Sequence, residues 1–268
     1  MSGLLTPVTA QKTINEATSD IEKICNLIAH KDFLFMTGEK TKALLEQQRP
    51  DALEDLEEFT QSWSDLYTDA YMADKGTYRK RRHATMSAPP SSKFFHLEAH
   101  QPHFQSLYFN NLNGDVKRLY RPISSSTLDS KILTNILRLG CDIFGRLSPY
   151  SSWHIEIHQF RIEAGLGGAA TPTPEGIHRD GVGFVMMLMV KRINIANGAT
   201  SIYDLEKRRL NEFTLRAPLD MAIVNDERVF HSVAPLIQLD CNKDAYRDVL
   251  VVTFRKKCAH NFPNQGKF

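Results

Sequence analysis

Residues 176–181 read GIHRDG, a histidine and an aspartate two positions apart, between glycines and just ahead of a long apolar run. Side chains two apart on extended backbone share a face. His178 and Asp180 therefore reach one point in space while Arg179 is directed away. An imidazole and a carboxylate at one point make two thirds of a metal site. The third ligand is expected from another strand, and His231 in RVFHSVAPL is the best candidate. Two histidines and one carboxylate with open positions form the facial triad of a non-haem Fe(II) oxygenase, and the open positions are where a co-substrate and O2 bind. An HxD pair alone has low specificity, and the alternative for His231 is an ordinary hydrogen-bonded, half-buried histidine.

The order of the motifs strengthens the metal reading. After the HxD pair and the later histidine comes Arg247, in YRDVLVVTF. A planar guanidinium holds a carboxylate by two hydrogen bonds, which suits the distal carboxylate of a keto acid such as 2-oxoglutarate. Arg247, Val249, Val251, Thr253 and Arg255 share one face of that strand. Thr253 is thus a second candidate contact for the co-substrate, and Arg255 is the rival clamp, two strand repeats further on and near the rim. Asn225 and Asp226 are placed to hydrogen-bond an iron-bound histidine, with a turn cap as an equal alternative. His154 and His158 lie about 13 Å apart on an extended chain, too far to chelate one metal together. Met186, Met187 and Met189 read as core filling.

These residues need elements to hold them. Residues 12–72 read as helical, with Pro50 interrupting and a new helix opening near Asp51. The basic stretch YRKRRHATM reads as extended, SAPPSS as a loop, NNLNG as a turn, and residues 127–145 as a helix. After Pro149 the period drops to two. WHIEIHQFRI puts Trp153, Ile155, Ile157, Gln159 and Arg161 on one side of a strand and His154, Glu156, His158, Phe160 and Ile162 on the other. Further short strands are expected in GVGFVMMLMVKRI, GATSIYD, FTLRAPL, MAIVND, RVFHSVAPL and YRDVLVVTFRK, with no long helix between them. This points to a mainly β, α+β chain with an antiparallel jelly roll or barrel, rather than a parallel α/β sheet. One domain is expected over 1–268, helical over 1–75 and with its catalytic core over 76–260.

The bulk numbers set bounds. The 33 Lys and Arg against 31 Asp and Glu leave a net charge of +2 in 268 residues, which argues against nucleic-acid or membrane partners. Cys25, Cys141, Cys241 and Cys258 have no zinc-like spacing. Few cysteines and an N-terminus without a signal-peptide pattern lead to an expected cytoplasmic location. The apolar run Val182–Val190 is too short to span a membrane as a helix. There is no GxGxxG or GxxxxGK phosphate loop.

The stretch PTPEGIHRDG, with GATSIYD, HSVAPL and YRDVLVVTF, resembles the Fe(II)/2-oxoglutarate dioxygenases that hydroxylate free amino acids, the bacterial isoleucine 4-hydroxylase group. The similarity runs over roughly residues 76–256. It implies a double-stranded β-helix closed by flanking helices, with His178, Asp180 and His231 as iron ligands and Arg247 on 2-oxoglutarate. A free amino acid needs partners for its carboxylate and its ammonium. Arg161 is the first candidate for the carboxylate, and Glu156 and Asp204 are candidates for the ammonium. The family's arginine-rich segment falls on the run Arg79–His83, so one of Arg79, Arg81 or Arg82 is expected at the mouth of the site. The partner implied is a small molecule, and a homodimer is left open. The alternatives are an oxygenase acting on, desaturating or cyclising another small molecule, and a metal-binding cupin without turnover. A zinc hydrolase ranks lower, because no HExxH accompanies the ligands.

Overall fold

A computed structural model describes residues 19–165 and 170–257; the expectations for residues 12–18 and 258–260 lie outside the described residues. Helix α1 (Asp20–Lys31) starts at Ser19, whose hydroxyl accepts from the Glu22 N–H, and ends at Asp32 in the left-handed region. Helices α2 (Gly38–Gln48) and α3 (Leu56–Gln61) follow, and a 3-10 turn spans Ser62–Asp65. The segment expected to be helical on both sides of Pro50 is further interrupted by strands β1 (Phe33–Met36) and β2 (Tyr67–Thr68). FLFM has no polar position to mark a helical face, and four residues are too few to establish any period.

The remaining strands are β3 (Arg79–Ala88), β4 (His96–Leu97), β5 (Ser152–Glu163), β6 (Phe184–Ile193), β7 (Ile195–Asn197), β8 (Thr200–Tyr203), β9 (Arg209–Phe213), β10 (Met221–Asn225), β11 (Phe230–Val233), β12 (Leu236–Gln238) and β13 (Tyr246–Lys257). Helices α4 (Ser125–Leu128) and α5 (Lys131–Leu147) lie between β4 and β5. FTLRAPL joins a strand only at Phe213. Its later residues turn around Asp220, whose carboxylate accepts from the Arg216, Ala217 and Gly38 N–H groups.

An eight-stranded sheet runs β1-β10-β6-β13-β5-β3-β2, with β4 also on β3. Its strand ladders are all antiparallel. One face packs on α1, α2 and α5 through Trp153, Ile155, Ile157, Met186, Leu250 and Phe254. The opposite face divides. Toward β6 and β10 it is apolar, and Val185, Met187 and Met189 pack there with Ile202 of β8. Toward β5 and β3 it is polar and lines a cavity. Small sheets β11-β8-β9 and β12-β7 complete the second layer. This is the double-stranded β-helix with flanking N-terminal helices. Among the described residues no helix is long and apolar enough to cross a membrane.

Candidate metal centre and its cavity

His178 and His231 meet through backbone. The His178 N–H donates to the His231 carbonyl at 3.0 Å and the reverse bond is 2.9 Å, an isolated antiparallel bridge. Their rings lie 4.4 Å apart. Asp180 comes between them, its carboxylate 3.8 Å from His178 Nε2 and 3.7 Å from His231 Nε2. One donor atom from each of the three lies within 4.8 Å of the others. The ligand loop is pinned from below. Asp226 accepts from the N–H groups of Asp180, Gly181 and Val182 at 2.8–3.0 Å. Gly181 has φ +79°, and a Cβ there would strike the Phe109 ring at 2.5 Å, so only glycine makes this turn. Arg179 turns away over Phe109 and Phe230.

The donor set fits a divalent cation. His178 Nδ1 faces the Gly176 carbonyl at 3.0 Å; a carbonyl only accepts, so the proton sits on Nδ1 and the Nε2 lone pair is free. Burial and the neighbouring His178 push His231 down to about 4, so it is a neutral imidazole at ordinary pH. Burial alone would lower His178, but the Glu175 and Asp180 carboxylates outweigh it and raise it. Burial and the Asp180 charge push the Asp226 carboxyl up to about 7. Two neutral-capable imidazoles and surplus negative charge at one buried point are what a cation such as Fe(II) neutralises.

Arg247 lines the same cavity of about 270 Å³. It is 3% exposed, and its Nε has no hydrogen-bond partner among the described residues. Burial and the like charge of Arg192 pull its pKa down to about 10, and no carboxylate opposes them. Thr253 stands on the same face, buried, beyond Val249 and Val251. Arg255 is exposed at the rim.

The polar wall follows from strand register. Arg79 is level with Ile162 and Arg247, Arg81 with Phe160 and Val249, His83 with His158 and Val251, and Thr85 with Glu156 and Thr253. Arg79 pairs with buried Asp69 at 2.8 Å, and Arg81 lies between the Tyr120 and Phe160 rings. His83, His103, Glu156 and His158 also place donor atoms within 4.8 Å of one another. The proton of His158 takes this histidine out of the group of available donors. Arg81 only donates, so at 2.7 Å His158 Nδ1 accepts and Nε2 carries the proton. Both nitrogens of neutral His158 are thus engaged or protonated. His103 Nδ1 faces the Glu156 carboxylate at 3.0 Å. Burial would raise Glu156, yet the imidazoles of His103, His154 and His83 around it hold it well below the usual range.

Several expected contacts lie elsewhere. Arg161 leaves the cavity and forms a bidentate pair with Asp248, both bonds 2.7 Å, because alternation gives the cavity to its neighbours Phe160 and Ile162. Asp204 sits in the turn between β8 and β9, bonded to Arg208. Arg82 faces outward to Asp65 and Tyr67. Asn225 bonds Asp32, and Asp226 lies 4.0 Å from His231 Nδ1, so it acts on the ligand loop rather than on the imidazole. Arg79, Arg81 and Glu156 do line the cavity. So do Gln105, Arg118 and Glu175, which the sequence reading missed. They occupy irregular backbone, where no period signals which way a side chain points.

The sequence model of the family described as 2OG-Fe dioxygenase matches residues 60–253. The chain is 28% identical over 228 residues to the L-isoleucine-4-hydroxylase of Bacillus thuringiensis, covering 84% of this chain and 88% of that protein. It is 25% identical over 237 residues to the 3(1)-hydroxy-L-isoleucine 4-dioxygenase of Pantoea ananatis, covering 85% and 94%. The solved structure of a bsmA homologue from Methylobium petroleophilum matches with a TM-score of 0.78 and 29% identity, covering 90% of this chain and 94% of that one.

Proposed function

This chain belongs to the 2OG-Fe dioxygenase family and is an Fe(II)- and 2-oxoglutarate-dependent oxygenase acting on a small organic molecule; from that premise we propose that it hydroxylates a free, aliphatic L-amino acid of the isoleucine or leucine type at an unactivated side-chain carbon. The observation that carries the reading is the convergence of His178, Asp180 and His231 in one cavity with a buried arginine, Arg247, whose Nε has no hydrogen-bond partner among the described residues. In this reading the three residues hold the iron and Arg247 binds the distal carboxylate of 2-oxoglutarate, with Thr253 beside it. Bound iron and 2-oxoglutarate supply the oxidising power, with O2 as oxidant and succinate and CO2 as co-products.

The chain's own part is placement. His178 presents Nε2 because Gly176 holds its other proton, and Asp226 fixes the loop that carries Asp180. Val249, Val251 and Met187 give the co-substrate region apolar walls that limit water. Arg79, Arg81 and Glu156 offer charge for a zwitterionic substrate. The two curated relatives are named for isoleucine and a hydroxylated isoleucine, which supports an amino-acid substrate here. The reading includes a cytoplasmic location and no nucleic-acid partner, and sedimentation velocity decides between monomer and homodimer.

The test is succinate release with Fe(II), ascorbate, O2 and 2-oxoglutarate, adding each common L-amino acid in turn, with His178→Ala as control. Succinate with one or a few aliphatic amino acids, accompanied by a product one oxygen heavier, is the expected result. A product lighter by two hydrogens would move the reading to desaturation. Low succinate, the same with every amino acid, would indicate a different small molecule. No succinate with iron bound would leave a metal-binding protein without turnover.

A further inference from the structure

Arg118 lies outside regular structure, on the segment that closes the cavity. Its backbone is bridged to His103 by two hydrogen bonds of 3.0 Å. Its side chain lines the cavity and is 2% exposed, yet Nε has no partner among the described residues. The one hydrogen bond of the guanidinium found among the described residues is Nη2 donating to Gln105 Oε1 at 2.8 Å, a neutral acceptor. Among the described residues no carboxylate pairs with it. Asp69 serves Arg79 at 2.8 Å and Arg81 at 3.6 Å, and Glu156 is bonded to His103.

A guanidinium cannot shed its charge at ordinary pH, and burying it unpaired is costly. Among the described residues, two buried guanidiniums of the cavity lack an acidic partner, Arg247 and Arg118. 2-Oxoglutarate accounts for the first. We propose that Arg118 binds the α-carboxylate of the primary substrate, assisted by the unpartnered Nε of Arg81, and that Glu156 receives the α-ammonium. Glu156 is close by construction: His103 is bridged to Arg118 through its backbone and bonded to Glu156 through its ring. Gln105 also donates to the Asp180 carboxylate at 3.2 Å, so the arginine stands one side chain away from a candidate iron ligand. A substrate anchored by its polar end at Arg118 leaves its aliphatic end free to reach toward the metal. This assignment rests on the amino-acid reading above and deepens it.

The experiment uses the full chain with Fe(II) and 2-oxoglutarate. It takes the L-amino acid that best stimulates succinate release and compares it with its carboxamide, in the wild type, Arg118→Gln and Arg118→Lys. Wild type should favour the acid over the amide. Loss of a charge-assisted contact should raise the KM for the acid by roughly 10- to 100-fold in Arg118→Gln, with the KM for 2-oxoglutarate unchanged. The preference for acid over amide should vanish in Arg118→Gln and return in part in Arg118→Lys. Thermal stabilisation by the same two ligands, read without turnover, should follow the same order. Equal use of acid and amide by the wild type would overturn carboxylate recognition while leaving the amino-acid reading intact. Retained preference in Arg118→Gln would overturn Arg118 as the anchor. If no amino acid stimulates succinate release, both readings fall together. Should Arg118→Gln not fold, Arg118→Lys and the wild-type comparison still decide.

Discussion

His178 offers Nε2 to a cation because a carbonyl oxygen holds its other proton, while His158 is denied that role by an arginine at its Nδ1. The place of a single proton thus separates His178 from His158 as a ligand. Replacing His178, Asp180 or His231 by alanine removes one of three candidate ligands. Each variant should abolish succinate release and lower Mn(II) affinity by at least about 100-fold in a titration, with the circular dichroism spectrum kept. Arg247→Ala should raise the KM for 2-oxoglutarate by roughly 10- to 100-fold and that for the primary substrate far less. Arg255→Ala should leave both near wild type, since its side chain is exposed at the rim. The reverse pattern would move the clamp to Arg255. The HxD pair was legible in sequence because two residues on extended backbone need no partner to define their common direction. Arg161 was misjudged as a cavity residue because its strand has two faces, and sequence period alone does not say which one meets the site.

At the scale of elements, the loop before β6 is held by the turn after β10. Three N–H groups of the loop end on Asp226. Asp226→Ala should weaken metal binding by roughly 10- to 100-fold, measured by Mn(II) titration, although Asp226 is not among the three ligands. The β2–β3 hairpin depends on another carboxylate. Burial would raise Asp69, but Arg81 and Arg79 outweigh it and hold it below its usual value of 3.8. A depressed folded-state value means the contribution is complete above pH 3.8 and is lost as pH falls through the lower folded value. Chemical denaturation at neutral pH should show Asp69→Asn destabilised by on the order of 3 kcal/mol, since two buried guanidiniums lose their countercharge. The gap between wild type and variant should narrow as pH falls below 3.8. Equal slopes with pH would remove Asp69 as the anchor. Neither carboxylate announces such a role in the sequence, because the groups each one satisfies come from other segments.

Across the whole molecule, the large sheet separates stability from chemistry. Its helix-covered face carries Trp153, Phe254 and the buried side of α5, and the other face carries the cavity. Leu137 of α5 is fully buried in the helical layer. Leu137→Ala should cost about 2–5 kcal/mol in chemical denaturation while leaving the KM for 2-oxoglutarate unchanged. A large shift in that KM would mean the two faces are coupled through the sheet. The cavity face is itself graded, apolar at β6 and β10 and charged at β5 and β3.

What the sequence by itself determined is what short-range geometry can carry. Alternation of period two marked β5, an apolar run marked β6, and turn residues bounded most of the strands. The HxD pair, the later histidine and the following arginine stood in the order that this chemistry needs. Tertiary structure decided everything that depends on which segments meet. It brought His231 to His178 across 53 residues through two backbone bonds. It turned Arg161 and Asp204 away from the cavity and drew Arg118, Gln105 and Glu175 in. Direction along a strand is set within two residues, but the identity of the neighbouring strand is set by burial and hydrogen-bond satisfaction summed over the whole chain.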